Sequence, residues 1–513
     1  MPFLFLSLIS CETSTPPLKT VRQPDATLSY DLAILNGMVY DGTGAEAIEA
    51  SVLIASDTIA FIGKVDPSAL KIRQTIDATN KIVCPGFIDP HAHGDPLDGA
   101  TTFQNFLSMG VTTIALGQDG SSPINSSEKS LQNYFTQLEG LQSRINIAMM
   151  AGHGSLRAQA GVPEGRAANA SERQRMADIL DINITSGCFG LTSGLEYVPG
   201  LYADSMEMVN LATIVGENDA VMMSHMRSED DQEVLSSITE LGWCNPFCRT
   251  HISHLKVVYA EGVDRANQIF EHIKKQSAKG QAMTAEVYPY NASYTGIGIV
   301  FPSWAKTPSD FASAKKDRNA ELRDFLRNKV MQRNGPGATL FGTGPFAGST
   351  LEEVATKSGK DYVDILMEMG PFGASGAFFV MNEGVQDIFI THPEVAICSD
   401  GSPTMRHPRG HGSFARIIEK YVVAENQLPL AQAIYKMSGL PASILRLSGR
   451  GLLKEGYFAD VLVFDPNQVR ENATWKDPFQ LATGIEHLIV NGTRQRSSDR
   501  LESDYSGRIL YSE

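Results

Sequence analysis

The stretch Pro85-Gly86-Phe87-Ile88-Asp89-Pro90-His91-Ala92-His93 decides how the chain is read. An apolar run passes through Pro-Gly and ends at two histidines two residues apart. Side chains two apart in a strand face the same way, so His91 and His93 can converge on one ion. A lone HxH arises often by chance. At the end of an apolar strand it gains weight, because a (β/α)8 barrel keeps its chemistry at the C-terminal ends of its strands.

Working outward, further apolar β-like runs end near Gly117, Gly152, Gly194, His225, His254 and Tyr288, each followed by a helix-length stretch. Successive ends lie roughly 25 to 45 residues apart, the size of repeated β-α units. An eighth run, Val395 to Ser399, ends at Asp400 about a hundred residues later. The gap holds Phe301 to Asn334, rich in Lys, Asp and Arg at helical spacing, and reads as an insertion over about 296–345. Eight strands alternating with helices predict a closed α/β TIM barrel over residues 85–450. Both chain ends look β-rich. Ala33 to Val39 carries Asn36-Gly37, Leu488 to Gly492 carries Asn491-Gly492, and Asn-Gly between apolar residues signals a hairpin. With Lys81 to Val83 and Ala459 to Phe464, they predict a small β-sandwich built from 27–84 and 451–513.

A chain of 513 residues has room for such a barrel and one smaller companion domain. Its net charge of −15 argues against nucleic acid as a partner, since phosphate binding needs clustered Lys and Arg. No apolar run is long enough to span a bilayer. Residues 1–26 differ from the rest. Leu8-Ile9-Ser10-Cys11 resembles a bacterial lipobox, and Glu12 to Pro24 is rich in Thr, Pro and Ser, as a tether is. No Lys or Arg precedes the apolar stretch, a departure from the signal-peptide layout. The expectation is a bacterial cell-envelope protein, lipid-anchored through Cys11 or periplasmic, with the cytoplasm as the alternative. Cys84, Cys188, Cys244, Cys248 and Cys398 are too sparse for a disulfide framework. Cys244 and Cys248 have CxxxC spacing without a second pair, so buried small residues are expected there rather than a zinc site.

Taken together, the motifs resemble the amidohydrolase superfamily, and within it the D-aminoacylase (N-acyl-D-amino-acid deacylase) family. Besides the opening stretch they are Val111-Thr112-Thr113, Gly152-His153-Gly154-Ser155-Leu156-Arg157, Gly194-Leu195-Glu196-Tyr197-Val198-Pro199-Gly200 and His225-Met226-Arg227-Ser228-Glu229. Ser253-His254-Leu255-Lys256, Tyr288-Pro289-Tyr290, Ser399-Asp400-Gly401 and His407-Pro408-Arg409 complete the set, which runs from about Leu32 to Gly492. The resemblance implies a centre of one or two zinc ions, with His91 and His93 at one position and His225 and His254 at the other. It implies that Asp400 contacts the first metal and shuttles the proton. It also implies that Lys256, Tyr288 and Arg409 hold a substrate carboxylate, as a bidentate Arg fork does well.

One departure stands out. Relatives carry Asn-Cys-Gly after the second strand, with the Cys as a zinc ligand, whereas this chain reads Gly117-Gln118-Asp119-Gly120. Asp119 is then the expected carboxylate ligand, harder than a thiolate, so manganese or cobalt should exchange more easily with zinc. No Lys ends the fourth strand, which argues against a carbamylated bridging lysine; Glu196 is the fallback carboxylate. The expected reaction is hydrolysis of the amide of an N-acyl-D-amino acid, a small-molecule substrate. The alternatives are a D-residue dipeptidase or cyclic amidase in the same site, and a catalytically silent binding lipoprotein. His153 and Arg227 also sit at strand ends, without an assigned role. The sequence does not fix the oligomeric state.

Overall fold

The computed structural model describes residues 22–94, 97, 103–123, 127–498 and 500–512. The lipobox-like segment with Cys11 lies outside them. Eight parallel strands form the barrel: Phe87–Asp89, Val111–Leu116, Asn146–Met149 continued by Ala151–Gly152, Gly190–Gly194, Val221–His225, Arg249–Ile252, Thr284–Val287 and Val395–Ile397. Nearly every residue in them is buried, as expected of strands covered by side chains inside and helices outside. The ring closes where the last strand returns to the first. Asp400 N donates to His91 O at 2.9 Å, and His93 N donates to Gly401 O at 2.8 Å. The buried Asp89 carboxylate fastens the same seam, accepting from His91 N and Ser399 N at 3.2 and 3.0 Å.

The β domain expected from both termini is one continuous nine-stranded sheet. Its order runs Arg500–Leu501, Thr493–Ser497, Ile485–Val490, Val461–Phe464, Ile82–Pro85, Ser29–Val39, Ile48–Ala55, Thr58–Gly63, with Lys71–Asp77 also paired to Ser29–Val39. Apolar side chains pack on both faces, Leu32, Ile34, Val52 and Ile54 on one and Ala33, Leu53 and Phe61 on the other. The two Asn-Gly pairs do different work. Asn491 and Gly492, at φ 47° and 77°, turn a hairpin between Ile485–Val490 and Thr493–Ser497. Asn36-Gly37 is not a hairpin turn as expected but a bulge inside Ser29–Val39. Asn36 adopts φ 62°, its N–H goes to Ser51 Oγ, and the register shifts between Ile34 and Gly37.

The excursion between the seventh and eighth strands runs past the expected 345. Its antiparallel sheet orders Ser293–Gly296, Ser375–Phe378 and Thr339–Phe341, so the segment finishes only after Phe378. Helices Pro308–Asp317, Asn319–Gln332, Leu351–Ser358 and Tyr362–Met369 pack on it around a separate core that includes Phe301, Leu322, Leu326, Phe341 and Leu366. The charged pattern of 301–334 marks the exposed faces of two of these helices and is silent about the short strands that pair later.

A final element was absent from the sequence reading. Ile509–Leu510 lies parallel to Asn146–Met149, with Ile147 N donating to Arg508 O and Ser512 N to Gly187 O. The third barrel strand pairs with the fourth through Ala151–Gly152, with Phe189 N donating to Met149 O at 2.9 Å just below, and Ile509–Leu510 pairs with Asn146–Met149. The five cysteines among the described residues are free and buried, Cys244 and Cys248 included. No helix among the described residues is long and apolar enough to cross a membrane.

Candidate metal centre and active site

Asp119 sits at the middle of the strand-end histidines. Its Oδ1 lies 3.5 Å from His91 Nε2, 3.3 Å from His254 Nε2 and 3.9 Å from His225 Nδ1, and its Oδ2 lies 3.6 Å from His93 Nε2. Asp400 completes the first side, with Oδ1 3.1 Å from His93 Nε2 and 3.8 Å from His91 Nε2. Among the described residues the candidate ligand atoms fall into three sets: His91, His93, Asp119 and Asp400; Asp119, His225 and His254; and Glu196, His225 and Glu229, the first two sharing Asp119. Asp119 is the carboxylate common to the first two sets, and Glu196 Oε2 lies 3.1 Å from His225 Nε2 in the third.

These side chains fit a divalent cation. With ligand bonds near 2.1 Å, a tetrahedral site separates its ligand atoms by about 3.4 Å, close to the spacings above. Among the described residues, the buried Nε2 of His91 has no hydrogen-bond partner. His225 Nδ1 and His254 Nε2 face each other at 3.0 Å, two imidazole nitrogens where one proton at most can lie between. Imidazole nitrogen with carboxylate oxygen suits zinc, manganese or cobalt.

Backbone strain accompanies the arrangement. Asp119, His254 and Asp400 adopt φ of 53°, 36° and 47°, a left-handed region that costs an L-residue about 1 kcal/mol or more. Each stands just past a barrel strand, where the chain turns to aim its side chain across the mouth. Gly117 and Gly120 flank Asp119 at φ 83° and 80°; a Cβ on Gly117 would meet Met150 O at 2.4 Å. The tight turn thus requires glycine. Burial disfavours charge on His91 and on Asp400, yet their opposite-charge neighbours outweigh it. Asp119 foremost holds the His91 imidazolium well above its ordinary range, and Arg409 foremost holds the Asp400 carboxyl far below its own.

Sequence reasoning missed Glu286. This wholly buried carboxylate accepts from His91 Nδ1 at 2.9 Å and from His254 N at 2.9 Å, and it pairs with His251. It fixes one ring of the centre by its far nitrogen, leaving Nε2 to face Asp119, and it fixes the backbone of another ligand. The signal was a charged residue inside an apolar run, two before Tyr288. Glu286→Gln should weaken metal affinity by about 10- to 100-fold, measured by competition with a chromogenic chelator. Unchanged affinity would show that Glu286 does not hold the ring.

Lys256, Tyr288 and Arg409 gather beside Asp400, but two of them already have partners. Arg409 Nη1 lies 2.8 Å from Asp400 Oδ2. Lys256 Nζ lies 2.8 Å from Glu229 Oε1 and 2.7 Å from His254 Nδ1. The Tyr288 ring lies beneath both cations, 4.7 Å from the Arg409 guanidinium and 5.7 Å from Lys256 Nζ; its buried hydroxyl has no hydrogen-bond partner among the described residues. His153 and Arg227 prove structural. His153 and Arg157 converge on Glu207, while Arg227 grips Glu240 and the carbonyls of Leu201 and Ala203 under the loop after the fourth strand. A cavity of about 700 Å³ opens above the centre, lined among others by Asp119, His225, Lys256, Asp400 and Arg409. That is the size of a small-molecule site.

An amidohydrolase family profile matches residues 389–494. An N-acyl-D-glutamate deacylase of Alcaligenes xylosoxydans xylosoxydans is 31% identical over 90% of this chain and 93% of its own. A D-aminoacylase of the same organism is 30% identical over 94% of this chain and 97% of its own. Among solved structures, the N-acyl-D-glutamate deacylase of Bordetella bronchiseptica superposes with a TM-score of 0.80 at 28% identity, covering 94% of this chain and 100% of that one. It is complexed with zinc and a phosphonate that mimics the tetrahedral intermediate of the reaction. A D-aminoacylase with a binuclear metal centre superposes equally fully, with a TM-score of 0.79. The chain belongs to the D-aminoacylase family of the amidohydrolase superfamily, metal-dependent enzymes that hydrolyse amide bonds.

Proposed function

We propose that the protein hydrolyses N-acyl-D-amino acids to a carboxylate and a free D-amino acid, with zinc as its resident ion. The observation that carries this reading is the pair of ligand sets sharing Asp119, with Asp400 in contact with one of them at the floor of the cavity. His91, His93, Asp119 and Asp400 would hold one cation, and Asp119, His225 and His254 a second. Bound there, a divalent cation supplies Lewis acidity, acidifying water and drawing charge from a carbonyl oxygen.

The side chains divide the rest of the work. Asp400 takes a proton from the attacking water as its oxygen bonds to the acyl carbon. It returns that proton to the amide nitrogen as the C–N bond breaks, so the nitrogen departs as an amine rather than as an anion. Arg409 and Lys256 offer the substrate carboxylate a cationic wall, with the Tyr288 hydroxyl as a further donor. An arriving carboxylate competes with Asp400 for Arg409 and frees Asp400 toward the amide. The preference for D substrates rests on the named activities of the relatives.

The test is deacylation of paired D and L N-acetyl amino acids with defined metals, alongside hydantoins and dipeptides containing a D-residue. Turnover of the N-acetyl-D compounds in the zinc form supports the reading. Turnover confined to hydantoins, dipeptides or L compounds would overturn it. Asp119 gives a separate expectation: Asp119→Cys should raise the preference for zinc over manganese in competitive metal titrations, because thiolate is the softer ligand.

A further inference from the structure

Arg333 caps the C-terminal end of helix Asn319–Gln332, in the segment inserted between the seventh and eighth strands. Only 4% of it is exposed, yet it lines the same cavity as the histidine cluster. Its Nε has no hydrogen-bond partner, and among the described residues no carboxylate comes within ion-pairing distance of its guanidinium. The neighbouring acid, Asp230, is engaged by Lys329 Nζ at 3.1 Å. Aromatic side chains hold the guanidinium instead, 4.9 Å from the Phe378 ring and 5.9 Å from that of Tyr259, whose buried hydroxyl faces it. Lys306, from the same insertion, lines an adjoining recess of about 330 Å³ shared with Tyr197 and Ile299. A buried charge without a counter-charge is costly, and stacked, preoriented guanidinium is the geometry that receives a carboxylate fork.

We propose that Arg333, with Tyr259 beside it, forms a second anion subsite in the cavity, which binds a carboxylate additional to the one expected at Arg409. This rests on the deacylase reading and names its substrate class: N-acyl-D-amino acids carrying a second carboxylate. That group is supplied by the amino-acid side chain or by the far end of the acyl group, and the two sources present the same chemistry to Arg333.

Two matched substrate pairs separate the sources. N-acetyl-D-glutamate is compared with its neutral isostere N-acetyl-D-glutamine, and N-succinyl-D-leucine with N-butyryl-D-leucine. The expected result is a kcat/KM at least tenfold higher for the charged member of one pair, the pair identifying the source. In Arg333→Gln that ratio should collapse toward one, and Arg333→Lys should restore part of it. A merely structural role for Arg333 would lower both members alike and leave the ratio standing, which would overturn the subsite. Turnover of the neutral compounds with no preference in either pair of the unaltered enzyme would overturn it without any variant. Turnover of none of the four would overturn the deacylase reading and the subsite with it.

Discussion

Asp400→Ala is expected to lower kcat/KM by about 10²- to 10⁴-fold on an N-acetyl-D-amino acid, the range over which a positioned proton-transfer group acts. Asp400 lies within 3.1 Å of His93 Nε2 and 2.8 Å of Arg409 Nη1, so its removal touches proton transfer, one ligand set and the partner of the arginine together. Three readouts separate these. Metal content per chain reports the ligand role, kcat reports the proton transfer, and KM reports the arginine. Asp400→Asn keeps the shape and one oxygen, so it should keep more metal than Asp400→Ala while recovering little kcat. A kcat within tenfold of the unaltered enzyme, with metal retained, would remove Asp400 from the proton path.

The second large effect concerns stability. Glu207 is wholly buried between His153 Nε2 at 2.7 Å, Arg157 Nη1 at 2.6 Å and the backbone N of Ala168 at 3.1 Å. Burial pushes its carboxyl up, but His153 and Arg157 outweigh that and hold it down at about 2. A carboxyl lowered on folding contributes stability that is full above its unfolded value, near 4.3, and is lost as the pH falls through the folded one. Glu207→Gln leaves Arg157 buried without its counter-charge and should cost about 3 to 5 kcal/mol at pH 7. Urea unfolding at pH 7 and at pH 3 checks both parts: the deficit should be large at neutrality and smaller in acid. A deficit under about 1 kcal/mol at pH 7 would show that the buried cluster tolerates neutralisation.

The strand ends were legible because six of the eight apolar runs stop at a glycine or a histidine and the other two at Tyr288 and Asp400, and a barrel needs its chemistry there. His91, His93, His225 and His254 could be placed on the mouth from those runs, whereas the role of Asp119 came from the family likeness. Pairing was harder to read. Asn36-Gly37 and Asn491-Gly492 look alike in sequence, yet one is a bulge and the other a turn, since the register of Ile48–Ala55 decides which. Two-residue contacts such as Ile509–Leu510 carry no periodicity at all. Glu286 and Arg333 were passed over for a different reason. A charged residue is exposed by default, and only tertiary burial reveals that these two are not.

The contact of Ile509–Leu510 with Asn146–Met149 also bears on synthesis. A nascent chain leaving the ribosome in order will hold the third strand with an unmatched edge while everything after it is translated. Closing that edge joins residues separated by most of the polypeptide, a step whose entropic cost slows folding and prolongs exposure to misassembly. A helper that shields bare strand edges during translation should therefore raise the yield of active enzyme.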